Sequence, residues 1–324
     1  MTYNALPNSV LFCECACRDG LQNLKDFVPT DKKIALINRF VEIGFKKIEV
    51  TSFSHPKYLP QFADSEQVLR GIARKPGVHF VAVVPNMKGM ERCLQMTDAG
   101  YGVDEIIVVA SASEAHNRAN LNRTPSETIA DLEGVVKAAK NAGIWVIGSV
   151  LTSFGCAISG DVPFELVVER TRQFLDIGCD EIQLGDTTGE ANPVQTYRYF
   201  TRIRELFPRV NFIAHFHDTR GTGLANAVAA LQAGATSHDT SIGGIGGQPA
   251  TGAPLYHVGA TGNSVTEDMV CMFNEMGIVT GVKSEDIVAT ARLAEELLGQ
   301  TLRGWVTRAG PVRHKPTSYP LPTR

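Results

Sequence analysis

The chain has 324 residues, 44% of them hydrophobic and 20% charged, enough to bury a large core and longer than most single domains other than barrels. A formal net charge of -3 without a run of like charges argues against a nucleic-acid or membrane partner and for a small substrate. Seven cysteines, odd in number and dispersed, argue against a disulfide framework, and an amino terminus with neither a basic start nor an apolar run completes the expectation of a soluble, cytoplasmic protein.

Short apolar or β-branched runs alternate with amphipathic stretches, the pattern of βα units around a parallel sheet. Strands are predicted at 10–15, 47–52, 79–84, 105–110, 145–151, 181–185, 211–217 and 236–242, and helices at 31–43, 61–73, 87–99, 126–142, 163–177, 193–206, 224–233 and 265–276. Thr30 and the run Thr124-Pro125-Ser126 read as helix starts, and Gly44, Gly100, Gly143, Gly178 and Gly234 fall just past helix ends. Eight units without a glycine-rich dinucleotide loop after the first strand fit a (β/α)8 TIM barrel better than an open doubly wound sheet. A further helix at 284–298 packs outside it, so that 1–303 form the barrel domain and 304–324, rich in proline and basic residues, an irregular tail.

Such a barrel gathers its chemistry at the carboxyl ends of its strands. The first strand runs through Cys13, Cys15 and Cys17, read as small buried residues because no C-x-x-C pair completes a thiolate site, into Arg18-Asp19-Gly20-Leu21-Gln22-Asn23. Glu49 and Thr51 share a face of the second strand, and an inward glutamate needs a partner, for which Arg18 is the natural choice. The fourth and fifth strands end in small polar segments that place Ser111 and Ser153 toward a ligand. Asp186, ending the sixth, is either an acid near the site or a cap for the next helix. The seventh ends in Ile213-Ala214-His215-Phe216-His217-Asp218, where the period of two puts both imidazoles on one face, able to share one cation. Asp19 is the obvious anion to join them, and a mixed Asp/His set with open positions suits Mg2+ or Mn2+. Beyond the eighth strand, glycines 243, 244, 246 and 247 mark a lid or a ligand cradle, and Asn263 either offers an amide oxygen to the metal or caps a helix.

These segments resemble the 3-hydroxy-3-methylglutaryl-CoA lyase group of the metal-dependent, pyruvate-carboxyltransferase-like barrels (the DRE-TIM metallolyases). R-D-G-L-Q-N at 18–23, I-E-V-T-S-F at 48–53, S-A-S-E-A at 111–115, F-G-C at 154–156, G-D-V-P at 160–163, L-G-D-T at 184–187, H-F-H-D-T at 215–219 and G-A-T-G-N-S-V-T-E-D at 259–268 occur in the family's order. The resemblance implies retro-Claisen cleavage of a 3-hydroxyacyl-CoA to acetyl-CoA or a homologue plus a keto acid. It makes Asp19, His215, His217 and Asn263 the metal ligands, Arg18 the residue that stabilises the thioester enolate, and Glu49, Asp186 and Glu267 polar members of the same site. The base is His215 or Asp19. Gln22, Ser111, Ser153 and Gln248 are expected to touch the acyl-CoA substrate, and a homo-oligomer, dimer or tetramer, is expected.

One departure bears on the substrate. Where the family's glycine-rich loop carries a catalytic cysteine in a G-G-C-P pattern, this chain has Gly246-Gly247-Gln248-Pro249, with a longer stretch before Asn263 and no cysteine between Cys179 and Cys271. His257 then becomes the loop's candidate proton donor. The competing readings are an aldolase or Claisen synthase on the same barrel, and a non-catalytic metal- or CoA-binding relative.

Overall fold

The structure, a computed structural model, describes residues 6–247 and 262–313. Eight strands, β1 (Leu11–Glu14), β2 (Lys47–Ser52), β3 (His79–Val83), β4 (Glu105–Ser111), β5 (Trp145–Leu151), β6 (Glu181–Asp186), β7 (Phe212–Phe216) and β8 (Ser237–Thr240), form a closed, all-parallel barrel in chain order. The outer ring comprises α1 (Thr30–Ile43), α2 (Ser65–Gly71), α3 (Met87–Asp98), α4 (Glu114–Leu121), α5 (Pro125–Asn141), α6 (Phe164–Asp176), α7 (Pro193–Leu206), α8 (Gly223–Gln232) and α9 (Thr266–Glu275). Outside it lie α10 (Ser284–Leu298) and α11 (Trp305–Ala309). None of the described helices is long and apolar enough to cross a membrane.

The period of two divides the core. Outward residues such as Phe12, Ile48, Val50, Phe80 and Phe216 pack with helix residues such as Phe40, Phe174 and Phe200 in one continuous layer. Inward residues Cys13, Cys15, Val81, Ile107, Ile147 and Ile213 fill the middle of the barrel, so the structure is plugged and its polar ends are separated. β7 and β8 are in register with His215 opposite Asp239, and on the other side β1 sets Cys13 opposite that same aspartate.

Several local expectations change. Thr30 does not cap α1; Pro29 precedes the helix, and the Thr30 hydroxyl donates to Asp64 at 2.7 Å. The helix expected at 61–73 begins at Ser65 after a short 3-10 turn, because Gln61 is used elsewhere: its oxygen accepts from Val28 N, and its amide nitrogen donates to the Leu24 and Asp26 carbonyls. The β2–β3 register slips between Glu49 and Thr51, so Thr51 does not share the inward face of Glu49 and instead donates to Ser65 of α2 at 2.9 Å. Thr124 does cap α5, in a reciprocal box with Glu127. α4 was not expected, since eight residues of mostly polar sequence hide any apolar period; Ser113 caps it, accepting from His116 N. The tail expected to be irregular from Gly304 contains α11, whose first N–H groups donate to Asp268.

Candidate active site

β1 runs into a single π-helical turn, Ala16–Gly20, that carries Arg18 and Asp19 over the barrel mouth. Close packing fixes this turn. Gly246 has φ +104°, and a Cβ there would lie 2.6 Å from both the Asp19 carbonyl oxygen and Asn263 Nδ2, so only glycine lets the β8 loop press against the turn. Just past β7, His217 forms a bridge with Asn263, which brings the end of the glycine loop to the histidines. Asn263 does not cap α9, whose preceding residue is Val265.

The histidine tautomers follow from their partners. His217 Nδ1 lies 2.6 Å from the Thr187 carbonyl, which can only accept, so that nitrogen carries hydrogen and Nε2 presents a lone pair. His215 Nδ1 lies 3.2 Å from Asp239 Oδ2, with the same consequence. The two Nε2 atoms are 3.1 Å apart, and Asp19 Oδ2 is 3.4 Å from that of His217 and 3.9 Å from that of His215. Three lone-pair groups therefore converge, and a shared proton or a cation is needed to relieve them. Asn263 favours the cation: its Nδ2 donates to Asp19 Oδ2 at 2.5 Å, while its Oδ1 is buried with no hydrogen-bond partner among the described residues. Two imidazoles, a carboxylate and an amide oxygen form a mixed N/O set suited to a divalent cation.

Charge is arranged around this cluster. Burial would raise the Asp19 carboxyl, but Arg18 and His217 hold it well below the usual carboxylate range. Arg18 donates from Nε to Glu49 and from Nη1 to Asp19 at 3.0 Å, so the inward glutamate has the partner its burial demands. Burial lowers the tendency of Arg18 to stay charged, and Glu49 and Asp19 more than restore it. Burial also lowers His215, yet the bond to Asp239 raises it above its ordinary value.

A cavity of about 600 Å³ opens beside the cluster, within the range of small-molecule sites. Arg18, Asp19, Gln22, His215 and His217 line it, whereas Ser111 and Ser153 do not. Ser111 bonds His116 inside the fold and Ser153 donates to the Val150 carbonyl. Gln22 donates to Asp19 and, at 2.8 Å, to the Gly247 carbonyl. Asp186 accepts from Glu190 N and Ala191 N, closing the turn before α7, and burial pushes its carboxyl up to about 7. Glu267 also lies off the cavity. It accepts from Gly243 N and Thr307 Oγ1, tying the base of the glycine loop to α11. Gln248 and His257 lie outside the described residues.

Sequence reasoning missed Asp239 and Gln183. Gln183 donates to Asp239, which in turn holds His215. Their signal was present as polar residues spaced by two inside strands, Glu181-Gln183 and Ser237-Asp239, an expensive pattern unless the face is functional or paired. The wall formed by Ala119 to Asn122 at the end of α4, with His55 and Tyr58 opposite, carried no such signal.

A closed parallel barrel whose strand ends bring two histidines, an aspartate and a partly exposed arginine to one cavity, with an asparagine bonded to the aspartate, belongs to the class of metal-assisted (β/α)8 enzymes. The HMGL-like family model matches residues 9–294. The hydroxymethylglutaryl-CoA lyase YngG of Bacillus subtilis is 41% identical over 91% of this chain and 95% of its own. The crystal structure of the B. subtilis HMG-CoA lyase superposes with a TM-score of 0.87 at 40% identity, covering 94% of this chain and 98% of that one. The HMG-CoA lyase of Acinetobacter baumannii, solved with coenzyme A and 3-methylmalate, has a TM-score of 0.87 at 35% identity over 99% and 100% of the two chains. The chain belongs to the HMGL-like family.

Proposed function

We propose that this protein is a divalent-metal-dependent acyl-CoA lyase that cleaves hydroxymethylglutaryl-CoA or a related 3-hydroxyacyl-CoA to a shorter acyl-CoA and a keto acid. The observation that carries this reading is the convergence of three lone-pair groups, His215 Nε2, His217 Nε2 and Asp19 Oδ2, beside Arg18 at the mouth of the cavity. Relatives named as hydroxymethylglutaryl-CoA lyases, one of them solved with coenzyme A, support the acyl-CoA substrate. The cytoplasm is its proposed location and a homo-oligomer its proposed state, which light scattering would read.

Asp19, His215, His217 and Asn263 would hold the cation, with Mg2+ or Mn2+ best matched to a set containing carboxylate and amide oxygens. When bound, it supplies Lewis-acid polarisation of the substrate's hydroxyl and carboxylate. Proton removal from the C3 hydroxyl falls to His215 or Asp19. Asp239 behind the His215 Nδ1 fixes the tautomer that turns Nε2 toward the cluster; with that lone pair on the cation, the proton passes to the second carboxylate oxygen of Asp19. The C2–C3 bond then breaks and its electrons pass into the thioester as an enolate, whose oxygen Arg18 stabilises. Glu49 keeps the guanidinium in place, and Gln22 steadies Asp19 and the Gly247 backbone. A proton returns to C2, with His257 the proposed donor in place of the missing loop cysteine.

Purified protein incubated with Mg2+ or Mn2+ and a panel of hydroxymethylglutaryl-, citramalyl- and malyl-CoA thioesters should release a keto acid from at least one. Release from none of them would sink the proposal, and cleavage only of free 4-hydroxy-2-oxo acids would transfer it to an aldolase.

A further inference from the structure

The middle layer of the barrel is not wholly aliphatic. Cys13 and Cys15, two residues apart on the inward face of β1, hold their sulfurs 4.0 Å apart. A carboxylate oxygen of Glu49 completes a triad whose ligand atoms all lie within 4.8 Å of one another. Two thiolates on one tetrahedral cation, with metal–sulfur bonds of about 2.3 Å, stand about 3.8 Å apart, so the strand already sets the sulfur spacing. Glu49 supplies an independent sign of a ligand. Its Oε2 pairs with Arg18, but its Oε1 is fully buried with no hydrogen-bond partner among the described residues. Cys17, third in the alternating run, takes no part, since its sulfur faces the Lys33 carbonyl in the layer outside the barrel.

We propose that Cys13, Cys15 and the free Oε1 of Glu49 form a second metal site, for a thiophilic divalent cation of the Zn2+ or Cd2+ kind, which inhibits the enzyme by weakening the hold of Glu49 on Arg18. Ligand chemistry separates the two sites: thiolates select soft cations and disfavour Mg2+ and Mn2+, which prefer the oxygen-bearing set above. Binding releases both thiol protons to solvent, and the cation offsets two of the three negative charges then present. Without it burial pushes Cys13 up to about 11 and raises Cys15 well above its ordinary value, so the pair rests as neutral core thiols. Ile107, which shares the inward layer with both cysteines, also lines the cavity, so this layer reaches the cavity from which a cation would arrive.

The test titrates the full-length protein, held in saturating Mn2+, with Cd2+ while recording the ultraviolet cadmium–thiolate charge-transfer absorbance and turnover. Wild type should develop the band at one equivalent, and turnover should fall by about tenfold or more as the hold of Glu49 on Arg18 weakens. The Cys13→Val/Cys15→Val double variant should lose the band and the inhibition while keeping turnover without Cd2+; Cys13→Ala alone, a gentler change, should weaken the band. No band in wild type, or an undiminished band in both variants, would overturn the site. A one-equivalent band with unchanged turnover would overturn the inhibition. The absorbance does not depend on which substrate is cleaved, so failure of the lyase reading and failure of this site are distinguishable.

Discussion

The barrel carries a buried charge cluster at each end, and the two are built differently. At the amino-terminal end Lys47 lies between Glu105 at 2.5 Å and Glu181 at 3.2 Å, His79 reaches Glu105 at 2.8 Å, and Asn211 bridges Glu181 and Ser237. Burial disfavours the charge on Lys47, but the two glutamates raise it above its ordinary range. At the carboxyl-terminal end Arg18 is matched by Glu49 and Asp19, yet beside it lone pairs face lone pairs and Asn263 Oδ1 has no partner among the described residues. The lower cluster closes the barrel with opposite charges from the alternate strands β2, β4 and β6, whereas the upper one gathers acceptors beside a cavity. Acceptors that face one another beside open space, and not burial, thus distinguish this centre from an ion-paired plug.

Removing one partner at each end separates the two roles most sharply. Lys47→Met should strip the lower glutamates of their buried counter-charge and cost about 3–5 kcal/mol in denaturant unfolding, with KM of the remaining folded enzyme unchanged. Arg18→Gln should lower kcat by about 10²–10³-fold with metal affinity nearly intact, since its work is on the enolate. Its stability cost should be smaller, because burial already raises the Glu49 carboxyl toward its neutral form. An effect confined to KM would remove Arg18 from the chemical step. His217→Ala should weaken Mn2+ binding, read by calorimetry, by about 100-fold or more while thermal unfolding stays close to wild type. Normal metal affinity there would make the upper cluster another plug.

The smallest effect is on pH dependence. Glu14 accepts from Ala16 N, Ile242 N and Thr266 Oγ1, joining the Arg18–Asp19 turn to the β8 loop and α9, and burial pushes its carboxyl up to about 8. Glu267 is likewise pushed up to about 7. The folded state holds protons that the unfolded chain gives up, so this contribution is complete below the ordinary glutamate range and is lost as pH rises through 7 to 8. Thermal unfolding should therefore show stability falling between about pH 5 and 8. Glu14→Gln, which keeps both backbone acceptances and reverses the Thr266 bond, should flatten that slope by about 1 kcal/mol or more. An unchanged slope would show that Glu14 is ionised in the folded protein.

Periodicity and local order carried much of this in the chain itself. The eight βα units, the shared face of His215 and His217, the Arg18–Asp19 pair at the end of β1 and the demand of Glu49 for a cation all depend on spacings of a few residues or on the character of one side chain. Closure of the barrel decided the rest. It set Asp239 behind His215 and the Thr187 carbonyl behind His217, turned Glu267 toward α11, drew Gln61 out of a helix to hold the loop before α1, and made a cavity wall from the end of α4. Each of these joins residues far apart in sequence. A strand or helix period fixes which way a side chain faces its own element, but which acceptor waits there depends on how eight strands register around a closed sheet.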